Sequence, residues 1–203
     1  MPKLDLYIDF ASPSNTFRRL HGGGNGQPIA KAVGLKTYGL PLTVIDATAG
    51  LGQDAFVLAC LGCKVTMIER NPNISALLTD ALQRGSQIPA IAGIMHNLEL
   101  MVGDALLILN NLPIDAYPDV VYLDPMSPIR TKTALVKKEM RAIKDIVGED
   151  LDADNLLPLA RNIAKRRVVV KRPRIAGFLA NQQPHSSYVG KANRFDIYMP
   201  LAN

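Results

Sequence analysis

One repeated alternation constrains this chain more than any other feature. Short apolar runs rich in β-branched residues fall at 42–45, 64–69, 98–102, 119–123 and 167–171, and each of the first four is followed by a stretch with helical spacing. Apolar runs of four to six residues read as strands buried on both faces. Strands that alternate with helices build a parallel sheet, because the chain must cross over between strands, and right-handed crossovers leave a doubly wound α/β sheet. Residues 195–199 read as a last strand, and 132–146 and 155–164 as helices. Gly62 sits near the C-cap of a helix over 54–61, while Pro72 opens a helix that Gly85 ends. The run Gly22-Gly23-Gly24-Asn25-Gly26 costs too much backbone entropy for a helix and is a loop, with a short helix over 28–33 after it. The division expected is an N-terminal segment over 1–38, carrying this loop, and the α/β domain over 39–203.

Several function classes are excluded early. A chain of 203 residues can bury a core without a disulfide or metal. No apolar run approaches the roughly 18 residues of a membrane span, and Asp5 and Asp9 break any secretory signal. Cys60-Leu61-Gly62-Cys63 has no second pair, and His21, His96 and His185 are scattered, so two buried thiols and no metal are expected in a reduced cytoplasmic protein. Charge is uneven: residues 1–124 carry −3 and residues 125–203 carry +8. A strongly basic last part suits an anionic partner such as nucleic acid.

In doubly wound sheets ligands sit beyond the carboxyl ends of the strands. After the first strand, Asp46 leads into Gly50-Leu51-Gly52-Gln53-Asp54-Ala55, which fits G-x-G-x-x-A. The second strand ends in Glu69, 17 residues after Gly52, where a carboxylate can accept from both ribose hydroxyls. Together these argue for an adenosine-containing ligand. Asp46 and Asp54 would repel a pyrophosphate but suit a cation, which favours S-adenosylmethionine over a nicotinamide dinucleotide. Asp104, after the third strand, can take the adenine amino group, with the Ala105 amide near the ring; it can equally cap the following helix.

The fourth strand runs into Asp124-Pro125-Met126-Ser127-Pro128, which resembles the (D/N)PP(Y/F) element of amino-group methyltransferases. There the acid and the proline carbonyl orient an exocyclic amine, which is catalysis by positioning. Basic residues flank the fifth strand as Lys165-Arg166-Arg167 and Lys171-Arg172-Pro173-Arg174. With Lys132, Lys137, Lys138 and Arg141 they are expected along the active-site edge, where phosphate contacts supply affinity. Lys137, Lys138, Lys171 and Arg172 are the expected RNA contacts. Lys171 and Arg172 also have a competing reading as structural ion pairs with acids such as Asp124 or Asp196.

Longer runs carry a closer resemblance. Residues 30–34, 44–52, 54–56, 69–72, 121–126, 134–141, 150–154, 168–173 and 194–198 resemble the ribosomal RNA small subunit methyltransferase J family, with similarity from about Asp9 onward. The resemblance implies a class I, Rossmann-like S-adenosylmethionine-dependent methyltransferase that modifies N2 of one guanosine near the 3′ end of 16S rRNA, as free RNA or in the 30S subunit. It implies cofactor contacts at Gln53, Asp54, Glu69, Arg70, Asp104, Ala105 and Asp124, with Asp124 and Pro125 at the target amine. Asp46, Gly50 and Gly52 join the cofactor set from the turn itself. The family carries an aromatic residue where this chain has Ser127, so stacking on the target base is not expected there. It also carries more residues before the segment equivalent to Asp9, so a small N-terminal lobe is expected to be missing. The alternatives are a non-catalytic RNA-binding protein on this fold and a nicotinamide-dependent oxidoreductase.

Overall fold

The computed structural model of the chain describes residues 7–125 and 153–201. Seven strands form one sheet: β1 (Thr43–Asp46), β2 (Lys64–Glu69), β3 (Leu98–Val102), β4 (Val120–Leu123), β5 (Arg167–Pro173), β6 (Ser186–Val189) and β7 (Asn193–Tyr198). Their order is β3-β2-β1-β4-β5-β7-β6. The first five strands pair in parallel, and β7 runs antiparallel to both β5 and β6. The expected α/β sheet is therefore present, with an antiparallel hairpin on one edge. Helices α1 (Pro13–His21), α2 (Pro28–Val33), α3 (Leu35–Tyr38), α4 (Gln53–Cys60), α5 (Pro72–Ser86), α6 (Ala92–Met95), α7 (Ala105–Asn110) and α8 (Ala153–Ile163) surround it.

Strand alternation feeds two cores. Val120 and Tyr122 face one side, with Val44, Met67 and the residues of α2 and α4, while Val121 and Leu123 face the other, with Leu156 and Leu157 of α8. Both sides are apolar, as a parallel sheet covered on both faces requires. Ile8, Phe10, Ile29, Ala30, Ala32 and Val33 belong to the first core, so the described part of the N-terminal segment packs on the sheet. Phe10 stacks on Phe56 at 5.0 Å between ring centroids. Cys63 is buried and Cys60 half-buried, and burial pushes their thiols up to about 12 and about 11.

Several local features differ from the expectations, the short helices α3 and α6 among them. Helix α1 was not anticipated; Ser12 caps it by accepting from the Asn15 amide, and Pro13 begins it. Strand β6 is exposed along its whole length and carries no burial pattern to read. Helix α5 continues through Gly85, where a Cβ would come within 2.6 Å of Met95 Sδ. Gly85 thus lies in the last turn of α5, which ends one residue later, and its lack of a side chain admits Met95 of α6. The helix expected over 132–146 lies outside the described residues, as do Lys132, Lys137, Lys138, Arg141, Met126 and Ser127.

Candidate active site

Crossovers leave β1 and β4 in opposite directions, so a crevice opens beyond their carboxyl ends. A cavity of about 250 Å³ lies there, reached by the ends of β1, β2, β3, β4 and β5. Of the expected cofactor residues, Asp46, Gly50, Gln53, Asp54, Glu69, Arg70, Asp104, Ala105 and Asp124 all line it. Gly52 stands behind the wall. Its φ is +68°, and a Cβ would lie 3.0 Å from Leu78 Cδ2 and 3.1 Å from Met67 Sδ, so backbone conformation and tight packing both disfavour a side chain.

At one end of the cavity Glu69 organises three segments. It is 6% exposed; its Oε2 accepts from the Gly50 amide at 3.0 Å and its Oε1 from the Asn71 amide at 2.7 Å. Its carbonyl accepts from the Gly103 amide at 3.0 Å. The turn after β1 and the ends of β2 and β3 are thereby held around one residue, the first two by its carboxylate and the third by its main-chain carbonyl. Asp104 caps α7, with Oδ1 accepting from the Leu107 amide at 3.1 Å, and its Oδ2 lies 3.9 Å from Arg70 Nη1. The capping reading is thus realised, on a residue that also faces the cavity.

At the other end three carboxyl groups converge. Asp46 is 2% exposed, and burial pushes it up to about 8; the Thr48 amide opposes the shift, while Asp54 and Asp124 add to it. Asp54 Oδ2 accepts from the Tyr122 hydroxyl at 2.8 Å and from Lys171 Nζ at 2.6 Å, and Arg18 Nη2 lies 3.7 Å from Oδ1. Burial and the surrounding carboxylates raise the Tyr122 hydroxyl well above its ordinary range, so it stays a donor. Asp124 Oδ2 accepts from Lys171 Nζ at 2.7 Å, and the Asp124 amide donates to Thr48 Oγ1 at 2.6 Å. Burial raises the Asp124 carboxyl, and Lys171 opposes that rise.

Two expectations are corrected here. Lys171 was expected on the RNA backbone. Its ammonium instead sits between two carboxylates with the side chain 21% exposed, the ion pair with Asp124 that was the competing reading. Arg166 and Arg167 were expected near the active-site edge. They begin β5, at the opposite end of the sheet, where Arg166 Nε meets Asp119 Oδ1 at 2.8 Å and Arg167 Nη2 meets Tyr38 Oη at 2.7 Å. Arg172 Nε donates to the Gly177 carbonyl at 3.2 Å, and Asp196 pairs with Arg194. Thr48 and Tyr122 were not singled out from the sequence. Thr48 lies between Asp46 and Gly50, at the start of the turn, but Tyr122 looks like any apolar strand residue.

The lining contains five carboxyl groups and two cations, Arg70 and Lys171. That set suits a ligand bearing hydroxyls and positive charge, which S-adenosylmethionine is, and opposes a pyrophosphate. Comparisons with known proteins agree. A family model described as "Putative SAM-dependent methyltransferase" matches residues 2–200. A ribosomal RNA small subunit methyltransferase J from Tolumonas auensis is 56% identical over 200 residues, spanning 98% of this chain and 79% of the relative. A protein of the same name from Aeromonas salmonicida is 54% identical over 203 residues, 99% of this chain and 80% of the relative. The crystal structure of a SAM-dependent methyltransferase from Neisseria gonorrhoeae matches with a TM-score of 0.78 at 41% identity, covering 98% of this chain and 76% of that one.

Proposed function

This chain belongs to the SAM-dependent methyltransferase family whose members are named ribosomal RNA small subunit methyltransferase J, and from that premise we propose that it methylates the exocyclic N2 amine of one guanosine in 16S rRNA. The chain is a methyltransferase and its methyl donor is S-adenosylmethionine. By family resemblance the target is guanosine 1516, in free rRNA or in the 30S subunit, and the compartment is the cytoplasm. Among the described residues no helix is long and apolar enough to cross a membrane, and no group of His, Cys, Asp and Glu could hold a metal ion.

The observation that carries the reading is the placement of Asp124 and Pro125 directly after β4, with Asp124 facing the cavity and its amide tied to Thr48. When bound, the cofactor supplies a methyl group on a sulfonium, and the S–C electron pair stays on sulfur as the new N–C bond forms. Asp124 accepts a hydrogen bond from the target amine and aims the nitrogen lone pair. No strong base is needed before attack, because the nitrogen becomes acidic once it is alkylated and then sheds its proton. Glu69 accepts from the ribose hydroxyls while keeping Gly50 and Asn71 in place. Asp104 and the Ala105 amide meet the adenine, and Asp46 and Asp54 face the cationic end, with Gly50, Gly52, Gln53 and Arg70 shaping the walls. Lys137, Lys138 and Arg172 contact the RNA backbone.

The test is methyl transfer to 30S particles lacking the modification, followed by nucleoside mass spectrometry. N2-methylguanosine is expected with the wild type and almost none with a folded Asp124→Ala variant. Substantial turnover by that variant would remove Asp124 from its role. RNA binding without any transfer by the wild type would leave a binding protein on this fold.

A further inference from the structure

At the reaction end of the cavity one ammonium bridges two carboxylates. Lys171 lies within β5, two residues before its last, and its Nζ lies 2.6 Å from Asp54 Oδ2 and 2.7 Å from Asp124 Oδ2. Asp54 stands at the start of α4 and Asp124 after β4, so the ammonium joins two elements that approach the cavity separately. Asp54 is itself fixed, since the Tyr122 hydroxyl donates to the same oxygen at 2.8 Å. The chain of contacts runs from Tyr122 in the buried strand through Asp54 and Lys171 to the half-exposed Asp124.

We propose that Lys171 is a positioning residue for methyl transfer, anchoring the Asp124 carboxylate to Asp54 so that Oδ1 is held toward the target amine. The inference rests on the reading of Asp124 as the group that orients that amine. In this role Lys171 acts through Asp124.

The physical case has two parts. An unanchored carboxylate samples several χ2 directions, whereas one oxygen bonded to a fixed ammonium leaves the other pointing one way. Misplacing a positioning group by about 1 Å costs on the order of 10²-fold in rate. The second part is charge. The groups that face Asp124 are Asp46 at the end of β1, Asp54 on α4, the Tyr122 hydroxyl on β4, and Lys171 and Arg172 on β5; Arg18 of α1 reaches Asp54. Burial and the Asp54 carboxylate both press the Asp124 carboxyl toward its protonated form. Lys171 is the ammonium that offsets both among the described residues lining the cavity. An Asp124 that accepted the proton would offer a donor where the amine needs an acceptor.

The experiment compares wild type with Lys171→Met and Lys171→Arg in two assays. In the cofactor-free protein, the Asp124 carboxyl is titrated by carbon NMR, assigned by difference with Asp124→Asn. Its midpoint should rise by about 1 to 3 pH units in Lys171→Met, the range an opposite charge at this distance controls, and should stay near the wild-type value in Lys171→Arg. In methyl transfer to undermethylated 30S particles between pH 6 and 9, kcat of Lys171→Met should fall about 10²-fold at pH 7, with KM for the particles nearly unchanged. The acid limb of its pH profile should move upward with the Asp124 midpoint, and Lys171→Arg should recover much of the rate. A purely structural lysine would lower the rate equally at every pH. An unchanged Asp124 midpoint in Lys171→Met, or a rate loss with no shift of the acid limb, overturns the proposal. Failure of the wild type to form N2-methylguanosine overturns the guanosine reading alone, because the titration still reports whether Lys171 governs Asp124.

Discussion

The Asp124 amide donates to Thr48 Oγ1 at 2.6 Å, so the loop after β1 holds the loop after β4 through one side chain. Thr48→Val keeps the shape but leaves that amide without its acceptor. The expected cost is about 1–3 kcal/mol of stability, together with slower methyl transfer as Asp124 drifts. Thr48→Ser should restore both. Thermal melts and single-turnover rates for the two variants check this; equal behaviour of Val and Ser would remove the hydroxyl from the account.

Glu69 carries two duties that can be separated. Glu69→Ala should weaken S-adenosylhomocysteine binding by roughly 10- to 150-fold if one charge-assisted bond of about 1.5–3 kcal/mol is lost, and by more if two are. It should also lower the melting temperature of the ligand-free protein, because the Gly50 and Asn71 amides lose their acceptors. Calorimetric titration and ligand-free melts read the two effects. Unaltered affinity would exclude Glu69 from the ribose.

Asp46 makes stability depend on pH in a direction unlike that of a paired carboxylate. Its carboxyl is pushed up to about 8 in the folded protein, chiefly by burial. In the unfolded chain it ionises near pH 4. Its contribution to folding is therefore complete below about pH 4, falls as pH rises, and is lost by about pH 8. Asp46→Asn keeps an acceptor for the Thr48 amide and cannot ionise. Its stability relative to wild type should climb with pH up to about 8 and level off above; a gap independent of pH would show that Asp46 ionises normally.

The salt dependence of RNA binding separates phosphate contacts from internal pairs. Replacing Lys137 and Lys138 together by alanine should reduce the log–log slope by about two, and Arg172 alone by about one. Lys171→Ala should leave the slope in place, since its ammonium already faces Asp54 and Asp124. Filter binding across a salt series reads all three. A reduced slope for Lys171→Ala would return that residue to the RNA surface.

Most of the sheet could be read before the structure because each strand of a parallel sheet carries its own local signal. The runs ending at Glu69, Val102 and Leu123 were visible as apolar β-branched segments, and parallel pairing sends all their carboxyl ends to one side. Glu69, Asp104 and Asp124 therefore fell on the ligand edge by position alone. Elements without an apolar pattern escaped: α1 rests on a Ser12 cap, and β6 is held by backbone pairing to β7 with every side chain exposed.

The sequence by itself determined the parallel α/β sheet, the strand-end acids and the cationic character of the ligand, since periodicity and residue type are properties of short segments. Only the tertiary structure decided what those acids meet. Lys171 lies 117 positions from Asp54 and 47 from Asp124, and it reaches both because β5 pairs beside β4 while α4 begins over the same edge. A lysine at a strand end can face a phosphate or a carboxylate equally well as far as local pattern goes. Which one it faces depends on strand order and on burial, because a cation at the edge of a low-dielectric cavity is drawn to the carboxylates packed against it.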